Sequence, residues 1–173
     1  MNKRKNIILF LVSVLAIIGI LSFTRRMLKP DLKEFVNQNK ENLSNISNEL
    51  LESVDNKIEI YEGKGERPNI QNVELIYDNL SLHDMAVEKY KEFYGEEYVD
   101  RVIIFLNDKP DDEEYFQCGI YYSPEGCAID YYGHPVDDTD GVYVYDGRPK
   151  KVKIMYRSEK ICDNWYYFED AVW

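Results

Sequence analysis

Histidine and cysteine are scarce in this chain, with two His and three Cys among 173 residues. Three cysteines cannot build a disulfide scaffold, and without C-x-x-C spacing or histidines at ligand distance they do not make a zinc site. Catalytic signatures are missing too: there is no P-loop, no H-E-x-x-H, no G-x-S-x-G and no dinucleotide fingerprint. No cofactor or metal is therefore expected. Positive charge is short as well. Lys and Arg number 21 against 32 Asp and Glu, a net of -11. That balance argues against a general nucleic-acid binder, because phosphate backbones demand basic residues.

Hydrophobic residues, by contrast, reach 45%, enough to form a core and to exclude wholesale disorder. Charge is unevenly placed. The first 30 residues hold Lys3, Arg4, Lys5, Arg25, Arg26 and Lys29 and no acid, so the remainder carries 15 basic residues against all 32 acids, a net of -17. Between the two basic clusters runs Ile7 to Phe23, 17 residues interrupted only by Ser13, Gly19 and Ser22. As a helix it is about 25 Å long, and snorkelling of Lys5 and Arg25 covers the shortfall against a hydrocarbon core of about 30 Å. A cleavable signal peptide is the competing reading. The apolar run is longer than such segments use, and no small-x-small site follows it. The expected organisation is a basic tail at 1–6, a transmembrane signal anchor at 7–24, a juxtamembrane amphipathic stalk at 25–62 and an acidic, Tyr-rich domain at 63–173. The lipid bilayer is thus the first expected partner. A short N-terminal tail stays in the cytoplasm, which places residues 31–173 outside it.

Apolar residues at Leu32, Phe35, Val36, Leu43, Ile46, Leu50, Leu51, Val54 and Ile58 recur at gaps of three and four, the pattern of an amphipathic helix. The simplest reading is a helix that packs on its own domain or stands off the membrane; a coiled-coil dimer is weakly encoded. Glu62 to Pro68 punctuates the chain with two glycines and a proline. A second helix is expected from Ser81, where Ser81 and Asp84 form a capping box, Leu82, Met85, Ala86, Tyr90 and Phe93 make an apolar face, and Gly95 ends it. From Val99 the period becomes that of strands. Val102 to Leu106 is a continuous apolar run, Tyr115 to Ser123 alternates, and Asp140-Gly141 and Asp146-Gly147 bracket Val142 to Tyr145. Lys151 to Arg157 alternates again, and Trp165 to Phe168 has strand composition. The fold class is therefore α+β: one or two helices packed on an antiparallel meander sheet of five or six strands.

Ten of the 15 tyrosines fall between Tyr115 and Tyr167. Tyrosine suits a half-wet sheet face and is enriched at binding surfaces. The candidate binding residues on such an aromatic face are Tyr121, Tyr131, Tyr143, Tyr145 and Trp165. No residue is assigned a catalytic role. Cys127 and His134, seven residues apart, are the one pair that resembles an activated thiolate, without a mark of an oxyanion hole or orienting group. Asp137 to Gly141 resembles part of a calcium loop, but Val136 and Gly147 would stand where an EF-hand needs carboxylates.

Three functions fit these features. The first is a membrane-tethered interaction or inhibitor-type module with a basic protein partner, favoured by the acidic domain. The second is a membrane-anchored thiol enzyme or hydrolase using Cys127 and His134. The third is a structural accessory subunit of a membrane complex.

Overall fold

The computed structural model describes residues 31–55, 57–80, 82–89, 98–106, 115–137, 142–147 and 152–172. The apolar segment 7–24 lies outside the described residues, and among those described no helix is long and apolar enough to cross a membrane. The chain divides into two units, Met1–Gln38 and Asn39–Trp173. Helix α1 takes in residues 31–53. In the first unit its side chains bond locally, the Asn37 amide donating to the Lys33 carbonyl and the Gln38 amide to the Glu34 carboxylate. All that follows concerns the second unit.

There the three-and-four spacing does what it predicts. Leu43, Ile46 and Leu50 are each at most 2% exposed and Leu51 and Val54 are also buried. Beyond α1 the chain forms β1 (Ile58–Glu62), the short helix α2 (Glu74–Asn79), and β2 (Asp84–Glu88), β3 (Arg101–Phe105) and β4 (Tyr115–Tyr122). A two-strand hairpin, β5 (Ala128–Ile129) and β6 (Pro135–Val136), comes next, then β7 (Val142–Gly147), β8 (Val152–Cys162) and β9 (Trp165–Val172). The main sheet has seven strands in the order β1-β2-β3-β4-β9-β8-β7, antiparallel throughout.

The α+β class and the antiparallel sheet are as expected; three details differ. The helix expected from Ser81 is strand β2 where the chain is described, while Ser81, Tyr90, Phe93 and Gly95 lie outside the described residues. Met85, Ala86 and Val87 are all buried between β1 and β3. A strand covered on both faces loses its alternation, and Leu82, Met85 and Ala86 then also satisfy a helical spacing. The second difference is β1, which occupies the end of the expected stalk: Ile58 continues the helical period after Val54, yet α1 stops at residue 53. The third is the sheet order. Two meanders, β1 to β4 and β7 to β9, are joined by β4 pairing with β9, so seven strands replace the five or six of a single meander.

Register assigns the two faces. Tyr122 pairs with Trp165, Ile120 with Tyr167, and Ile104 with Ile120, which puts these residues on one face together with Met85. Helix α1 covers it. The Trp165 indole N–H donates to Ser44, the Tyr122 hydroxyl to Asn48, and the Lys89 ammonium to the Leu51 carbonyl. Lys40 and Asp163 add an ion pair of 2.8 Å from the helix to the β8–β9 turn. In that two-residue turn Asn164 takes φ +66°, a left-handed conformation that asparagine tolerates. No disulfide joins Cys118, Cys127 or Cys162.

Candidate functional site

The opposite face is lined by Glu88 and Ala86 of β2, Arg101, Ile103 and Phe105 of β3, and Tyr121, Gly119 and Gln117 of β4. Tyr166, Phe168 and Asp170 of β9 and Tyr156 of β8 continue it. Among the described residues, the β5–β6 hairpin packs against its core. Ala128 and Ile129 join Ile103, Tyr121, Tyr156, Tyr166 and Phe168 in one buried cluster. Two tyrosines fasten the hairpin. The Tyr166 hydroxyl donates to the Gly126 carbonyl at 2.7 Å, and the Tyr121 hydroxyl accepts the Ile129 N–H at 3.2 Å while bonding Ser158 at 2.7 Å. Their rings stack 4.9 Å apart, 8° from parallel.

The hairpin covers only part of this face. What remains is a cup of about 320 Å³ between sheet and hairpin. Its aromatic lining is Phe105, Tyr121 and Phe168 from the inner strands, Tyr156 from β8, and Tyr131 and Tyr132 from the hairpin loop. At Gly119 a Cβ would meet the Ile104 carbonyl oxygen and lie 2.8 Å from the Phe168 ring, so the missing side chain lets that ring lie down on β4. Phe168 in turn stacks on Tyr156 at 6.2 Å and meets Phe105 edge to face at 5.7 Å.

Polar groups enter the same cup: Glu88, Arg101, Gln117 and Asp170. Arg101 and Glu88 sit directly opposite on β3 and β2, and both Nε and Nη2 of Arg101 reach Glu88 Oε2 at 2.6 Å. Their side chains are only 11% and 14% exposed, so the pair is held largely away from water. Asp170 is 6% exposed. Burial pushes the Tyr156 hydroxyl well above the usual phenol range; Tyr121, Asp170 and Asp130 add to the rise, and Arg101 opposes it.

The hairpin loop is built by one carboxylate. Asp130 Oδ1 accepts the backbone N–H groups of Tyr132, Gly133 and His134 at 2.8 to 2.9 Å, and Oδ2 faces His134 Nδ1 at 3.2 Å. Such an Asx turn fixes the backbone with a short side chain. Gly133, at φ +96°, completes it, and its Cα side abuts the Arg101 guanidinium, where a Cβ would fall 2.9 Å from Nη1. The loop thereby presents Tyr131 and Tyr132 edge to face at 5.3 Å, with Tyr132 46% exposed at the rim.

Of the five candidate residues, Tyr121 and Tyr131 line the cup, and Tyr143 packs against the hydrophobic cluster beside it. Tyr145 pairs with Ile154 in β7, and its side chain lies outside the described groups. Trp165 does not belong with them: it is fully buried on the other face, under α1. Cys127 and His134 have separate neighbours, the thiol 3.7 Å from the Ser123 hydroxyl and the imidazole on Asp130 with its ring 4.8 Å from Tyr98. Of the calcium-like stretch, residues 138–141 lie outside the described residues. Sequence reasoning missed Glu88, Arg101, Tyr132, Tyr156, Phe168 and Asp170. No family model, no curated protein and no solved structure matches the chain.

Proposed function

We propose that this chain is a membrane-tethered, non-catalytic binding module that engages a basic protein partner through the aromatic cup. The observation that carries the reading is the convergence of six aromatic rings and four polar side chains on one open concavity of about 320 Å³. Concave, mostly apolar sites with a few fixed polar groups are the usual form of pockets that take a small group, and a single partner side chain is such a group. Asp130 bonds three backbone N–H groups of the loop, so Tyr131 and Tyr132 reach a partner with less ordering left to do. The tether is the apolar segment 7–24 between its two basic clusters, with the folded part outside the cytoplasm. The net of -17 outside the first 30 residues steers basic partners and makes association salt-sensitive. An inhibitor that masks a basic protein is the narrower form of the same function.

The test is site-specific photo-crosslinking of the full-length chain in its own cells. A benzoylphenylalanine replaces Tyr132 at the cup rim or, in a second variant, Val144, which is 65% exposed and belongs to the opposite face by register. Adducts from the Tyr132 position to a basic protein, lost at high salt, are expected. Adducts of equal yield from both positions, or from Val144 alone, contradict the reading.

A further inference from the structure

Resting on that reading, we infer that the cup is a receptor for one alkylammonium group, the tip of a lysine side chain of the partner. This group sits against the face of Tyr132 and points between Tyr156 and the carboxylate of Asp170. Four observations lead there. Size comes first: about 320 Å³ is at the low end of the roughly 300–1,000 Å³ of small-molecule sites, suited to one long side chain rather than a cofactor. Charge is second. Among the described residues the lining holds two carboxylates, Glu88 and Asp170, against one guanidinium, Arg101.

Third, Arg101 is committed. Its Nε and Nη2 both bond Glu88, and Gly133 lies close enough that a Cβ there would fall 2.9 Å from Nη1 and 3.0 Å from Cζ. An anion would have to displace one or the other. Fourth, tyrosine and phenylalanine faces carry negative quadrupole charge and attract cations, more strongly where water is partly excluded. A lysine stem also supplies methylenes to pack on Phe168 and Ile103 while the charged end remains near Asp170 and the rim.

The experiment is an NMR titration of the full-length chain in detergent with ¹³C-labelled tyrosine rings, at low salt. The probes are the peptide Gly-Gly-Lys-Gly-Gly, the same peptide with norleucine in place of lysine, choline, and propionate. Saturable shifts of the Tyr132 and Tyr156 signals with the lysine peptide, and none with norleucine, are expected. Asp170→Asn should weaken lysine binding about tenfold and Tyr132→Leu about three- to tenfold. Should the buried Asp170→Asn variant lose its native spectrum, the rim variant Tyr132→Leu decides alone.

Equal shifts with norleucine overturn the inference, as do shifts with propionate at lower concentration than with lysine, or unchanged binding in Tyr132→Leu. Choline binding more tightly than the lysine peptide assigns the cup to a small quaternary amine and overturns the protein side chain as its occupant. Crosslinking from the Tyr132 position with a silent lysine titration overturns the cation chemistry and leaves the binding face standing. Silence in both removes both.

Discussion

Arg101 and Glu88 face each other across the β2–β3 pair with both Nε and Nη2 of the guanidinium 2.6 Å from a single carboxylate oxygen, inside the wall of the cup. A pair so withdrawn from water contributes little net stability, because desolvation offsets attraction, but removing one partner strands the other. Arg101→Met should therefore destabilise the full-length chain by about 2–5 kcal/mol in urea unfolding. Glu88→Gln with Arg101→Met should recover a large part of that loss. A double variant as unstable as the single one would show that the arginine acts through packing alone.

Gly133 supports the same arginine from the other side. Its φ of +96° is strained for any other residue, and a Cβ would press on the guanidinium. Gly133→Ala should cost about 1–3 kcal/mol. Gly65→Ala, whose Cβ would meet the Glu62 Cβ at 3.2 Å and its carbonyl oxygen at 3.4 Å without a left-handed φ, should cost less than Gly133→Ala, about 1 kcal/mol or under. Thermal unfolding of the two variants side by side checks the contrast.

The two aromatic faces should respond differently to truncation. Trp165 is fully buried beneath α1, so Trp165→Ala should cost about 3–5 kcal/mol. Tyr132, at the rim, is 46% exposed, and Tyr132→Leu should change stability by less than about 1 kcal/mol. Chemical denaturation of both variants measures this, and an unstable Tyr132→Leu would assign the rim a structural role.

This division of labour was only half legible in the sequence. Strands β3, β4 and β9 and the β7–β8 hairpin announce themselves through an apolar run, alternation and Asp-Gly. Strand β2 does not, because Met85-Ala86-Val87 is covered from both sides, and a capping-box pattern at Ser81 and Asp84 pointed to a helix. With β2 read as helix, the cross-strand pairing of Glu88 with Arg101 could not be seen. The aromatic face was seen as one surface when it is two. Tyr121 pairs with Tyr166 and Tyr122 with Trp165, so neighbours one residue apart point to opposite faces. Grouping Trp165 with Tyr121 crossed that parity. The β4–β9 pairing joins segments with no local turn between them, and pattern alone carries no signal for it.

Alkaline pH should unfold the chain through its tyrosines. Burial pushes the Tyr121, Tyr156, Tyr166 and Tyr167 hydroxyls up, and Tyr61 is pushed up to about 12, chiefly by burial and then by its bond to Glu59. A phenol with a raised folded pKa keeps its proton longer when folded. Its stabilising effect is complete below about pH 10, the unfolded value, and is lost as pH climbs toward the folded one. Absorbance at 295 nm should show a first group of tyrosines titrating near pH 10 and the rest ionising together with loss of near-ultraviolet circular dichroism. All tyrosines titrating near pH 10 without unfolding would contradict the buried network.

The proposed tether makes its own demand. Protease added to intact cells should remove a tag placed at the C-terminus, and the chain should stay with the membrane after alkaline carbonate washing. A protected tag places the cup on the cytoplasmic side; release by carbonate removes the tether.

The most direct measurement is a structure of the full-length chain with the Gly-Gly-Lys-Gly-Gly peptide bound. The lysine ammonium is expected within about 6 Å of the Tyr132 or Tyr156 ring centre and beside Asp170, with the Arg101–Glu88 pair intact. A peptide seated on the exposed β1 or β7 edge, or a lysine side chain pointing away from the cup into solvent, would contradict it.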